Sequence, residues 1–133
     1  MSATEIRDNL AHEGNGETLL FVDDEVKQLR LMQQFLEETG YRVLTAADGA
    51  EAVDLFIRHK DEIALVILDI GLPTMNGSEA LRAMKKAAPH VKAIVATAYL
   101  PPQAAASEWR AVIFKPYGLD DILAQISRIL RQP

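Results

Sequence analysis

The fold this sequence predicts is an α/β domain, doubly wound around a five-stranded parallel sheet, and three observations predict it. Short, almost unbroken apolar runs recur along the chain, among them LLFV, LVIL, IVA and AVIF. Such runs are the habit of strands buried on both faces. Segments with apolar residues at helical spacing alternate with them. The runs also end in polar residues: Asp23 and Asp24, then Asp69, Thr97 and Lys115. In an open parallel sheet the carboxyl ends of the strands border one crevice, so residues far apart in sequence converge there.

The elements follow in order. Strand one is Thr18–Val22. Helix one places Val26, Leu29, Met32, Phe35 and Leu36 on one face, and Gly40 stops it. Strand two covers 41–45. Asp48 with Glu51 three residues on opens helix two as a capping box, and Val53, Phe56 and Ile57 face inward. Strand three is Ile63–Leu68. The Gly71-Leu72-Pro73-Thr74-Met75 loop leads to Asn76 and Glu79, which repeat the capping pattern before helix three, with Leu81 and Met84 buried and Pro89 beyond its end. Strand four covers 91–97. A shortened fourth helix is expected between Pro101-Pro102 and Trp109, then strand five, Ala111–Phe114. The last helix repeats Leu119, Ile122, Leu123, Ile126, Ile129 and Leu130, with Asp120 and Asp121 in its first turn and Arg128 and Arg131 near its last. Residues 1–17 read as a polar leader or linker, and Gly14-Asn15-Gly16 as part of it, since it precedes a strand rather than following one. Residues 18–131 read as a single domain.

Composition narrows the function. A chain of 133 residues suits one domain that buries roughly 68–70% of its unfolded surface. The absence of Cys excludes disulfides and thiolate metal sites and fits a reducing compartment. A net charge of −5 argues against nucleic acid. No apolar run has the length of a membrane span, and the opening residues lack a signal peptide's apolar stretch. The expectation is a cytoplasmic chain without membrane contact.

Taken singly, the strand-end residues have ordinary readings: Asp23-Asp24 as a helix cap, Asp69 as a loop residue, Thr97 as a β-branched strand residue, Lys115 as a solvated cation. Their joint arrangement points to phosphoryl chemistry. An Asp carboxylate is a covalent acceptor for a phosphoryl group, and that transfer is chiefly positioning and charge neutralisation. Asp23, Asp24 and Asp69 are hard oxygen donors suited to Mg²⁺, with a Gly71 backbone carbonyl as a further ligand. Lys115 brings a compact cation and Thr97 a hydroxyl donor.

The order strand-DD, strand-D-x-x-x-P, strand-T-A, strand-KP resembles the receiver domain of two-component response regulators over residues 17–130, nearly the whole chain. The resemblance implies a flavodoxin-like sheet of order 2-1-3-4-5. It implies Asp69 as phosphoacceptor, Asp23 and Asp24 as holders of Mg²⁺, Thr97 as the switch hydroxyl, Lys115 as the phosphoryl-binding cation and a cis Lys115-Pro116 bond. The implied function is Mg²⁺-dependent phosphorylation of Asp69 in a phosphorelay. The donor is a phosphohistidine on a histidine kinase or histidine phosphotransfer protein, because none of His12, His59 and His90 falls at a strand end facing the site. The chain then acts as a regulatory phosphoacceptor rather than an enzyme, stand-alone or part of a hybrid kinase, with homodimer formation left open. Gly71 and Tyr99, two positions after the acceptor and the switch hydroxyl, are expected to flank the water that removes the phosphoryl group.

Two features depart from the family pattern. Val112 stands three residues before Lys115, where receivers commonly carry a switch Tyr or Phe, and only 18 positions separate Thr97 from Lys115. They suggest an alternative, a degenerate receiver acting as a phosphorylation-independent docking scaffold. A remoter alternative is a phosphatase of the haloacid dehalogenase type. It calls for a second acid two residues after the first, where the chain has Glu25 after Asp23 and Val26 after Asp24, and for a cap domain.

Overall fold

The computed structural model describes residues 13–102, 104 and 106–133. Five strands, β1 (Thr18–Val22), β2 (Arg42–Ala46), β3 (Ile63–Leu68), β4 (Ala93–Thr97) and β5 (Ala111–Phe114), form one sheet of order β2-β1-β3-β4-β5. All neighbouring pairs are parallel. Helices α1 (Val26–Glu38), α2 (Gly49–His59), α3 (Gly77–Ala87) and α4 (Leu119–Leu130) pack on its faces.

Side-chain alternation along the strands sorts the core into two layers. Leu19, Phe21, Leu65, Ile67, Ile94, Ala96 and Ile113 face one side, where Leu29, Met32 and Leu36 of α1 and Ile122, Leu123, Ile126 and Ile129 of α4 cover them. Leu20, Val22, Val66, Leu68, Ala93 and Val95 face the other, under Ala52 and Phe56 of α2 and Leu81 and Met84 of α3. The strands read as continuous apolar runs because both faces are covered.

Helix ends follow local chemistry. Asp48 caps α2 by accepting from the Glu51 amide at 2.8 Å, and Asn76 caps α3 by accepting from the Glu79 amide at 2.9 Å. Gly40 ends α1 with φ +100° and the Tyr41 amide returns to Leu36 O. That return delays β2 by one residue from the expected 41–45. Of the leader expected over 1–17, residues 1–12, His12 included, lie outside the described residues. The Gly14 and Gly16 amides donate to Thr39 O and Gly40 O, and a Cβ on Gly14 would overlap the Tyr41 ring at 2.6 Å.

Three expectations are corrected. Val26 and Ile57, placed on buried faces by periodicity, are half exposed, because one lies in the first turn of α1 and the other at the edge of the stripe on α2. β4 starts at Ala93, since the Val91 amide is spent in a turn to Ala88 O. The shortening between β4 and β5 goes further than a short α-helix: the described residues there form a single 3₁₀ turn, Ala106–Glu108. Trp109 fills the vacated layer from that turn, buried with the α2 and α3 side chains. Arg82 of α3 pairs with Glu108 at 3.9 Å and the Lys85 ammonium donates to Glu108 O at 3.3 Å, fastening the turn to α3. Removing a buried Trp costs about 3–5 kcal/mol, so Trp109→Ala should lower the unfolding free energy by that amount, read from urea denaturation; a loss under about 1 kcal/mol would show that this layer does not depend on the ring.

Candidate functional site

The expected site residues sit at the carboxyl ends of β1, β3, β4 and β5. Asp23 follows the last residue of β1, Asp69 the last of β3, Thr97 ends β4 and Lys115 follows β5. β1 and β3 are adjacent and their helices leave on opposite faces, which opens the crevice.

The Lys115 ammonium joins two carboxylates. It donates to Asp69 Oδ2 at 2.8 Å and to Asp23 Oδ2 at 2.9 Å. Asp23 is buried, and its Oδ1 accepts from the Glu25 amide at 2.9 Å, turning the chain into α1. Asp69 Oδ1 accepts from the Gly71 amide at 3.1 Å. Lys115 is anchored by its own amide, which donates to Thr97 O at 2.9 Å, and the Lys115-Pro116 bond is cis. Asp24 is exposed and stands outside this ion-pair network.

Titration reflects the same contacts. Burial pushes the Asp69 carboxyl up, but the hydrogen bonds from Lys115 and Gly71 and the Lys115 charge outweigh it, leaving the group below the usual carboxylate range. Burial pushes the Lys115 ammonium down, and the bonds and charges of Asp23 and Asp69 outweigh that, raising it. Thr97 has one hydroxyl proton, which reaches Tyr99 O at 3.0 Å. Donating it fully to the Asp69 side means giving up that carbonyl. Tyr99 itself is 67% exposed at the rim.

The loop after Asp69 is held by close backbone approach. A Cβ on Gly77 would stand 2.1 Å from Asp69 O, so only Gly lets α3 start there. Thr74 has φ +66°, an uncommon conformation for a β-branched residue. Its hydroxyl donates to Asp48 Oδ1 at 3.1 Å and accepts from the Ala50 amide at 3.2 Å, stitching the loop to the start of α2. The spacing of apolar runs carries no sign of this stitch. His59 at the end of α2 and His90 before β4 lie at the opposite end of the sheet.

The donor set around Asp69 is all oxygen, with more negative than positive charge, which fits a hard divalent cation. Among the described residues no three acidic or histidine side chains are grouped to hold a metal ion as they stand. Asp23 and Asp69 keep acceptor capacity beyond their Lys115 bonds, and exposed Asp24 is free of competing contacts to the pair.

Residues 19–127 match the family described as response regulator receiver domain. The chain is 30% identical to sporulation initiation phosphotransferase F of Bacillus subtilis over 118 residues, 86% of this chain and 94% of that one. A receiver domain protein from Methanospirillum hungatei superposes with a TM-score of 0.79 at 32% identity, covering 86% of this chain and 94% of that one. Response regulator TrrA from Thermotoga maritima, in complex with Mg(2+)-BeF, superposes with a TM-score of 0.75 at 30% identity, over 85% of this chain and 98% of that one. The chain spans about half the length, 51%, of other curated relatives it matches, transcriptional regulatory proteins.

Replacing Lys115 by Met would leave the buried Asp23 and the partly buried Asp69 carboxylates together without a cation, which costs up to about 3 kcal/mol. Because the Asp69 pKa is depressed in the fold, its contribution to stability is present above the unfolded carboxylate pKa and is lost as pH falls through the folded value. The deficit of Lys115→Met should therefore be full near neutral pH and shrink in acid below the ordinary Asp range. Urea denaturation of both proteins across that range measures it, and a deficit independent of pH would contradict the assignment.

Proposed function

We propose, since this chain belongs to the response regulator receiver domain family, that it accepts a phosphoryl group on Asp69 from a phosphohistidine of a histidine kinase or histidine phosphotransfer protein. Receiver domains are the phosphoacceptor modules of two-component phosphorelays, and the assignment of roles to particular residues here is our reading. The observation that carries it is the Lys115 ammonium held 2.8 Å from Asp69 Oδ2.

An Asp69 oxygen attacks phosphorus, the bond from phosphorus to the imidazole nitrogen breaks, and an acyl phosphate forms while the nitrogen leaves with a proton. The contacts that hold the Asp69 carboxyl below its usual range keep it ionised and nucleophilic near neutral pH. Lys115 then meets charge on the transferred oxygens, and Thr97 offers its proton to one of them at the expense of Tyr99 O. Asp23, Asp24, Asp69 and the Gly71 carbonyl would hold a Mg²⁺, which would further neutralise that charge.

The receiver unit is read as 18–131, with the residues before it a leader or linker. Its role is regulatory, set by its own phosphorylation and dephosphorylation rather than by turnover of other substrates. Among the described residues no helix is long and apolar enough to cross a membrane. A cytoplasmic setting and no role in nucleic-acid binding complete the reading, with homodimer formation left open.

Intact mass spectrometry tests it. With a small acyl-phosphate donor, the wild type should gain one phosphoryl group when Mg²⁺ is present and none when it is chelated, and Asp69→Asn should gain none. Equal labelling of the two proteins would remove Asp69 as acceptor.

Decay of the phosphorylated state probes the rim. A Cβ on Gly71 would approach nothing nearer than Asp69 Oδ1 at 4.0 Å, so that side is open, and the exposed Tyr99, two positions after Thr97, is read as the group that crowds the other. Tyr99→Ala should release phosphate faster after donor removal at constant Mg²⁺. An unchanged decay rate would show that the ring does not gate the water.

A further inference from the structure

We infer that Gln28 and Tyr117 form a positioning pair that holds the Lys115 ammonium between Asp23 and Asp69. Gln28 Nε2 donates to Tyr117 Oη at 3.0 Å, a contact between residues 89 apart in sequence. Gln28 lies in the first turn of α1, which begins three residues after Asp23. Tyr117 lies two residues beyond Lys115 and packs against the core layer under α1 and α4. The bond therefore closes a ring: Asp23 to Lys115 at 2.9 Å, along the backbone to Tyr117, across to Gln28, and back down α1 to the Glu25 amide that binds Asp23 at 2.9 Å.

The ring answers a physical need. A lysine carries its charge on a flexible four-carbon stem, so placing the ammonium on two carboxylates at once requires the backbone beneath it to be fixed. On the strand side it is fixed by the Lys115 amide on Thr97 O. On the other side the chain leaves β5 through exposed Pro116, which has no amide proton, and the next hold is the Tyr117 side chain. A Phe at this position would keep the packing and lose the tether. The hydroxyl is thus the part of Tyr117 that acts on Lys115. Burial pushes its pKa up, so it remains a neutral hydroxyl able to accept from Gln28. This role rests on the proposed phosphoacceptor function, but the geometry it predicts can be read without phosphorylation.

Tyr117→Phe, Gln28→Leu and the double variant test it. Loss of one net hydrogen bond corresponds to about a five-fold effect. Each single variant should lower the labelling rate constant at saturating small donor by about that factor, with the half-saturating donor concentration unchanged. The double variant should be no slower than the singles, because both remove one bond. In unphosphorylated, metal-free protein, the Lys115 ammonium protons should give a ¹H–¹⁵N signal in the wild type that is exchange-broadened in all three variants. Wild-type rates with a retained ammonium signal, or effects of the two substitutions that multiply, would overturn the pair. Failure of the wild type to label at all would count against the phosphoacceptor reading instead, and the ammonium signal would still decide the positioning role.

Discussion

The Lys115 ammonium, shared by Asp69 at 2.8 Å and Asp23 at 2.9 Å, is the interaction on which the strand-end crevice depends. Two carboxylates about 4 Å apart repel by about 4 kcal/mol at an effective dielectric near 20. One cation between them turns that repulsion into two charge-assisted hydrogen bonds. The pairing also ties together the ends of three strands, β1, β3 and β5, none of which contacts all the others directly in the sheet. The buried strands beneath serve as the rigid frame that makes such a pairing reproducible. A function that consumes an Asp69 oxygen therefore disturbs the one contact that these connections share.

The two sides of the crevice are held by different kinds of contact. On the β3 side, Gly77 lets the backbone of α3 press on Asp69, and Thr74 accepts a left-handed conformation in exchange for two hydrogen bonds to the start of α2. On the β4–β5 side, one 3₁₀ turn replaces a helix and is fastened through Arg82, Lys85 and the buried Trp109.

Much of this was legible in the sequence, for a definite reason. Strands covered on both faces must be apolar throughout, so LLFV, LVIL and AVIF show where they stop, and the polar residue at each stop is displayed by contrast. Capping residues Asp48 and Asn76 also declare themselves by type and spacing. Helical periodicity was weaker evidence: it identifies the stripe but not its edges, so Val26 and Ile57 were assigned to a face they only border. The connection from β4 to β5 has no period to read, being ruled by Pro101, Pro102 and the demand of Trp109 for cover. Asp23 and Asp24 are adjacent, and adjacency does not show that the turn into α1 buries the first and leaves the second exposed. The Gln28–Tyr117 bond was out of reach, since nothing local links a helix residue to one 89 positions later.

Under the proposed function, Val112 bears on how a signal would leave the site. Being half-buried with the α2 and α3 layer, it has no ring to exchange between inner and outer positions. Among the described residues, one link from the site to the β4–β5 segment is Thr97, whose hydroxyl donates to Tyr99 O at 3.0 Å and whose carbonyl accepts from the Lys115 amide at 2.9 Å. A hydroxyl has one proton, so a stronger acceptor on Asp69 draws it from Tyr99 O and leaves that carbonyl to find water. Tyr99 is already exposed, so losing this bond releases the start of the β4–β5 connection without moving a buried side chain. If Asp69 is the phosphoacceptor proposed above, hydrogen-bond accounting makes the backbone at Tyr99, through the Thr97 hydroxyl, the group sensitive to its state.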